Sequence, residues 1–225
     1  MPLVLALLWS ATALADEPPP APQPPSASPS GGALRPSTAL PLKPPSGPVL
    51  SEIDQDALPP ACRELGTLAG STSANRALSA RIALANCLVD DKAKALVLCD
   101  CEQSVLEVND ILEPSLALLD EVVENGNPAL QILARHAEGQ LLASFSTRLL
   151  DAVPPPVNTT TDALALRETR LAMMKPLLEP WLRRSQAAFA AIDQIARAHP
   201  ALDKNRAVAA AVRDSQARLA QVARR

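Results

Sequence analysis

Aromatic side chains are almost missing from this sequence: two Trp, two Phe and no Tyr in 225 residues. Stacking platforms for bases or sugars therefore have almost nothing to be built from. Histidine occurs twice, and there is no G-x-S-x-G, no P-loop and no H-E-x-x-H. Triad hydrolysis, phosphate cradling and zinc hydrolysis lack their parts. An excess of one charge is missing too: the formal net charge is −3, with both signs interspersed. That leaves no basic stripe to displace counterions from nucleic acid and no polybasic patch for an anionic membrane. Glycine is scarce, and Ala and Leu outweigh the β-branched residues. Such a composition favours helices over strands. The surplus of Ala, Arg, Leu and Pro over Lys, Ile, Phe and Tyr resembles the usage of a GC-rich genome.

What is present begins with an apolar N-terminus, Met1 to Ala15, too short for the ~20 residues of a membrane span. It closes on Ala13-Leu14-Ala15, the small-x-small pattern of signal-peptidase cleavage. Residues 1–15 are thus expected to be a cleaved signal and the protein to be exported, periplasmic or extracellular, although no Lys or Arg precedes the apolar run. No Cys follows the cleavage region, which argues against a lipid anchor. Residues 16–50 hold twelve of the 23 prolines among Ser, Ala and Gly. Proline removes backbone donors and the segment has little apolar mass, so a disordered tether of polyproline II character is expected. Stretched at ~3.1 Å per residue, it reaches on the order of 100 Å.

From residue 51 to 225 the apolar period becomes helical, and an all-α domain of about six helices in antiparallel hairpins is expected. Pro59-Pro60 opens a first segment to Leu68, and Gly70-Ser71-Thr72-Ser73 turns the chain into a second, Ala74 to Val89. A third starts near Asp100, where Asp100 and Gln103 have capping-box spacing. It runs Val105, Val108, Leu112, Leu116, Leu119, Val123, with Pro114 expected to kink it. Gly126-Asn127-Pro128 marks a boundary: Gly at C′, Asn as the next cap, Pro in its first turn. The fourth helix carries Leu130, Ala134, Ala137, Leu141, Phe145 and Leu149 and stops at Pro154-Pro155-Pro156. The fifth starts near Asp162 and is expected to kink or split at Pro176 and Pro180. It continues through Leu182, Phe189, Ile192 and Ala196 to His199-Pro200, and the last aligns Val208, Val212, Ser215, Leu219 and Val222. Glu179–Arg183, Asp193–Arg197 and Asp214–Arg218 have acid-first i,i+4 spacing, worth about 0.3–0.5 kcal/mol each on an exposed face.

The stretch Gln186 to Ala196 followed by His199-Pro200 resembles the second helix of a tetratricopeptide repeat. Ala134-Arg135-His136-Ala137-Glu138-Gly139-Gln140-Leu141 is similar to its first, where a Gly permits close packing. The likeness covers under a fifth of the chain, the separation of Gly139 from Phe189 exceeds the ~34-residue repeat, and the large Trp and Tyr positions are missing. What the resemblance implies is a divergent helical-hairpin array used as a docking surface; the alternative is an irregular bundle.

Cys62, Cys87, Cys99 and Cys101 are the candidate site residues. In an exported protein they are expected to form structural disulfides, with three pairings open. Counting outward from a turn at residue 71 places Cys62 opposite residue 80 or so. Cys87 is then ~10 Å further along at helical rise, beyond reach unless the helices shift. Pairing of Cys62 and Cys87 with the members of Cys99-Asp100-Cys101 is at least as favourable by that count. A redox-active Cys99–Cys101 pair is a competing reading, because so small a ring is strained, and the spacings do not follow the C-x-x-C pairs of structural zinc. His136-Ala137-Glu138 matches the H-x-E of zinc deaminases, but the partner P-C-x-x-C is absent. The functional expectation is a non-catalytic scaffold or adaptor that binds a protein partner or a second copy of itself, with no cofactor, metal or nucleic acid. The alternative is a thiol-redox protein, or a hydrolase built on an Asp/Glu pair that no spacing marks.

Overall fold

A computed structural model describes residues 50–222, and all regular structure among them is helical. The expected signal and tether, up to residue 49, lie outside the described residues. After a 3-10 turn at Pro60–Cys62 come α1 (Arg63–Ala69), α2 (Ala74–Ala93), α3 (Glu102–Asn125), α4 (Pro128–Asp151), α5 (Thr161–Ala198) and, beyond a second 3-10 turn at Pro200–Lys204, α6 (Arg206–Val222). Each helix packs on the next, as short connections dictate. The pairing of α4 with α5 is antiparallel: Gly139 meets Ser185 and Phe189, while Leu149 shares a core with Met174.

Helix α4 is the axis of the molecule. Its Leu130 and Ala134 join a core with Leu78, Leu84, Leu119 and Val122. Its Leu142, Phe145 and Leu149 join another with Val89, Val108, Leu112 and Leu178. On a third side Ile132 packs with Phe189, Ile192, Val208 and Val212. The expected stripe of α4 is therefore only part of what it buries: packed against α2, α3, α5 and α6, it buries residues on several sides, Glu138 and Ser146 among them.

Local signals behave as their chemistry requires, with three corrections. Asn127 caps α4, its Oδ1 accepting the Leu130 N–H at 3.1 Å, and Pro128 occupies the first turn. Gly126 terminates α3 in extended backbone (φ −83°), not in a left-handed turn. It is glycine for space: a Cβ there would come within 2.5 Å of the Val122 carbonyl and 3.1 Å of the Leu130 Cβ. The expected capping box of Asp100 and Gln103 is not formed. Helix α3 begins at Glu102, Gln103 donates to Glu107, and Asp100 is taken instead by Arg170 of α5 at 2.9 Å. Nor is the fifth helix split, since α5 runs through Pro176 and Pro180. Both prolines are exposed, as is Ala172, so the carbonyls of Ala172 and Pro176, which lose a donor, belong to residues open to solvent. Exposed Pro114 is accommodated within α3 in the same way.

Leu50, the first described residue and one before the expected boundary, already packs against the first core. Ser51 accepts from Arg81 at Oγ (3.0 Å) and at its carbonyl (2.5 Å), and Arg81, 1% exposed, is also paired with Glu121 of α3.

Candidate functional site

The four cysteines fall into two pairs. Cys62 lies against Cys87 with their Cα atoms 5.9 Å apart, a disulfide spacing that the mirror count placed out of reach. The count assumed a symmetric turn. In the structure Ala69 and Gly70 line the same hollow as Arg81, so the end of α1 stands beside the second turn of α2 and not beside its start. The two helices are thus offset from the symmetric count, and the offset brings Cys62 up to Cys87. The remaining two cysteines then have each other: Cys99 and Cys101 are joined with a Cα separation of 5.3 Å. Cys99 is exposed, and Cys101 is the residue at the N-cap of α3. Buried Ser104 sits beneath them, its Oγ accepting the Cys99 N–H at 2.9 Å and lying 3.1 Å from the Cys99 sulfur.

His136 and Glu138, suggestive together in sequence, face different neighbours. Glu138 is fully buried and held by Arg135 at 2.7 Å and by Arg184 at 2.5 Å; Arg184 also reaches Asp120 at 3.0 Å. Burial works against the Arg184 charge, but the two carboxylates outweigh it and hold its pKa above the usual value. His136 Nε2 is 2.9 Å from Asp214 of α6, with Gln140 beside it and the Phe189 ring edge-on at 6.4 Å. Asp214 also accepts from Arg218 at 2.7 Å. Partial burial pushes the Asp214 carboxyl up, and the bonds from Arg218, His136 and Gln140 pull it below its ordinary range. These groups lock α6 onto α4. Of the three i,i+4 pairs, all of which form, Asp214–Arg218 is thus a joint between helices and more than a solvated face. Among the described residues no three His, Cys, Asp or Glu gather at metal-binding distance.

The remaining feature is a surface. On the outer side of α5, Ala165, Leu166, Thr169, Ala172, Met173, Pro176, Leu177 and Pro180 are all exposed and all uncharged. Successive members lie one or three residues apart, and Ala165, Thr169, Met173 and Leu177 follow at steps of four, which sets them on one face over four turns. Met173 is 62% exposed and Leu166 57%. Asp162 precedes this face and Arg183 follows it. Sequence reasoning missed it because the same region was read as a helix kinked or split at Pro176 and Pro180, although the apolar spacing was there to find. No helix among the described residues is long and apolar enough to cross a membrane. Comparison with protein-family models, with curated proteins and with solved structures finds no match for the chain.

Proposed function

We propose that this protein is an exported docking scaffold, and that its partner is a protein that lays a helix along the outer face of α5. The carrying observation is the heptad-like uncharged stripe from Leu166 through Met173 to Leu177, left open to solvent on a helix whose opposite side is anchored in the core. Isolated exposed apolar residues are ordinary on any protein, but a contiguous row at 3.5-residue spacing is what a partner helix needs to seat its own side chains. Export accords with the signal-like residues 1–15 and with cysteines standing at disulfide spacing. A proline-rich tether would add reach, raising the effective concentration of the docking face near its target.

The test is substitution on the stripe. Full-length chain carrying Met173→Glu and Leu177→Glu should fold, since both residues are exposed, and should lose the species that crosslinks to the wild-type chain in its native envelope. Arg213→Glu, on the exposed side of α6, should retain it. Equal recovery with both variants would contradict the reading. If the crosslinked species proves to be a second copy of the chain, light scattering over a concentration series should show that the α5 variant alone stays monomeric.

A further inference from the structure

We propose that Cys99 and Cys101 form a thiol–disulfide exchange site that passes its disulfide to a peptide dithiol of apolar sequence. With Cys62 held by Cys87, the only cysteine left to pair with either residue is the other. The two are separated by a single residue, and rings so small are strained and give up their disulfide more readily than wide loops do. Exposure makes Cys99 the sulfur that an incoming thiolate meets. Its partner is placed to leave: Cys101 sits at the N-cap of the 24-residue helix α3, where the unpaired N–H groups of the first turn favour an anion. Ser104, 2% exposed, adds a hydroxyl 3.8 Å from the Cys101 sulfur; its oxygen already accepts the Cys99 N–H, which leaves its hydrogen for a sulfur.

A binding surface adjoins the pair. Arg170 holds Asp100, the residue between the two cysteines, and also lines an apolar hollow of about 250 Å³ with Pro154, Val157, Ala163 and Leu166. Val97, two residues before Cys99, is 88% exposed, and Val157 is 98% exposed. Arg170 thus couples the disulfide to a place for apolar side chains, which is why the client is assigned as a peptide and not a small thiol.

The chemistry balances without a cofactor. A client thiolate attacks the Cys99 sulfur, forming a mixed disulfide and releasing the Cys101 thiolate. The second client thiolate then attacks the client sulfur of that bond and releases Cys99. The client loses two electrons and gains a disulfide, while the chain gains two electrons and, from solvent, the protons of two thiols. Return to the oxidised form requires a low-molecular-weight disulfide such as oxidised glutathione.

The experiment mixes oxidised full-length chain with either of two reduced synthetic peptides, each with two cysteines, one rich in Leu and Val and one rich in Ser and Gln. Alkylation and mass mapping should find one peptide disulfide formed per chain and two new thiols, at Cys99 and Cys101, with Cys62–Cys87 intact. The apolar peptide should react at least tenfold faster, and Leu166→Glu should erase that preference. Ser104→Ala should slow reaction with dithiothreitol and both peptides alike. New thiols at neither Cys99 nor Cys101 would overturn the site. Equal rates for the two peptides would overturn the client, and both results are independent of how the Met173 and Leu177 substitutions behave.

Discussion

At the scale of single residues, buried charge and close approach explain most of what the apolar pattern leaves out. Glu138 is tolerable in the interior because Arg135 and Arg184 reach it from two sides, and breaking such a pair leaves a charge with no solvent. Asp214 carries a pH dependence. Its carboxyl is depressed in the folded state, so the stabilisation it contributes is present above the unfolded carboxylate value of about 3.9 and disappears as pH falls through the folded value. Asp214→Asn should lower stability at neutral pH and flatten the loss of stability below about pH 4, as urea titrations between pH 2 and 7 would reveal. The half-exposed setting and solvent screening keep the effect small. Gly139 is constrained by space, since a Cβ would approach the Phe189 ring to 2.6 Å. Gly139→Ala should cost about 1–3 kcal/mol by overpacking, and Phe189→Leu in the same chain should recover part of it. A Gly placed for close packing was legible in the sequence, whereas its contact across to Phe189, on another helix, was not.

At the scale of elements, the sequence spoke clearly wherever one helix buries one face. Val108, Leu112 and Leu119 of α3, and Val208, Val212 and Ser215 of α6, are buried as their spacing foretold. It spoke poorly about relative placement. The offset of α1 along α2 that brings Cys62 to Cys87, and the hold of Ser51 and Glu121 on Arg81, have no periodic signature. The disulfide that the offset permits spans 25 residues and limits the unfolded chain accordingly. Replacing both Cys62 and Cys87 by Ala should cost about 3 kcal/mol in thermal or urea unfolding while leaving the helical content of the folded form unchanged. Unaltered stability in that double variant would mean the bond is not formed in solution. Of the two outcomes expected at the prolines of α5, a kink or a split, the split does not occur: a helix pinned by Met174, Leu178 and Ser185 on one side and exposed on the other can carry them.

For the whole molecule, α4 collects three cores and leaves α5 half inside and half out. The inner half explains the fold, and the outer half from Ala165 to Pro180 is the reason to regard the molecule as something that is docked against. That face was unread in the sequence because its residues, judged singly, are small or ordinary. Their alignment matters only once α5 is known to be a single helix. The most direct measurement is a photo-crosslinking walk along α5 in the full-length protein in its native envelope, one position at a time from Ala165 to Pro180. Docking by a partner helix predicts that positions 166, 169, 173 and 177 crosslink to one species of constant mass, and that positions 168 and 175, on the other side of the helix, do not. Crosslinks spread evenly over all positions, or absent from every one, would contradict it.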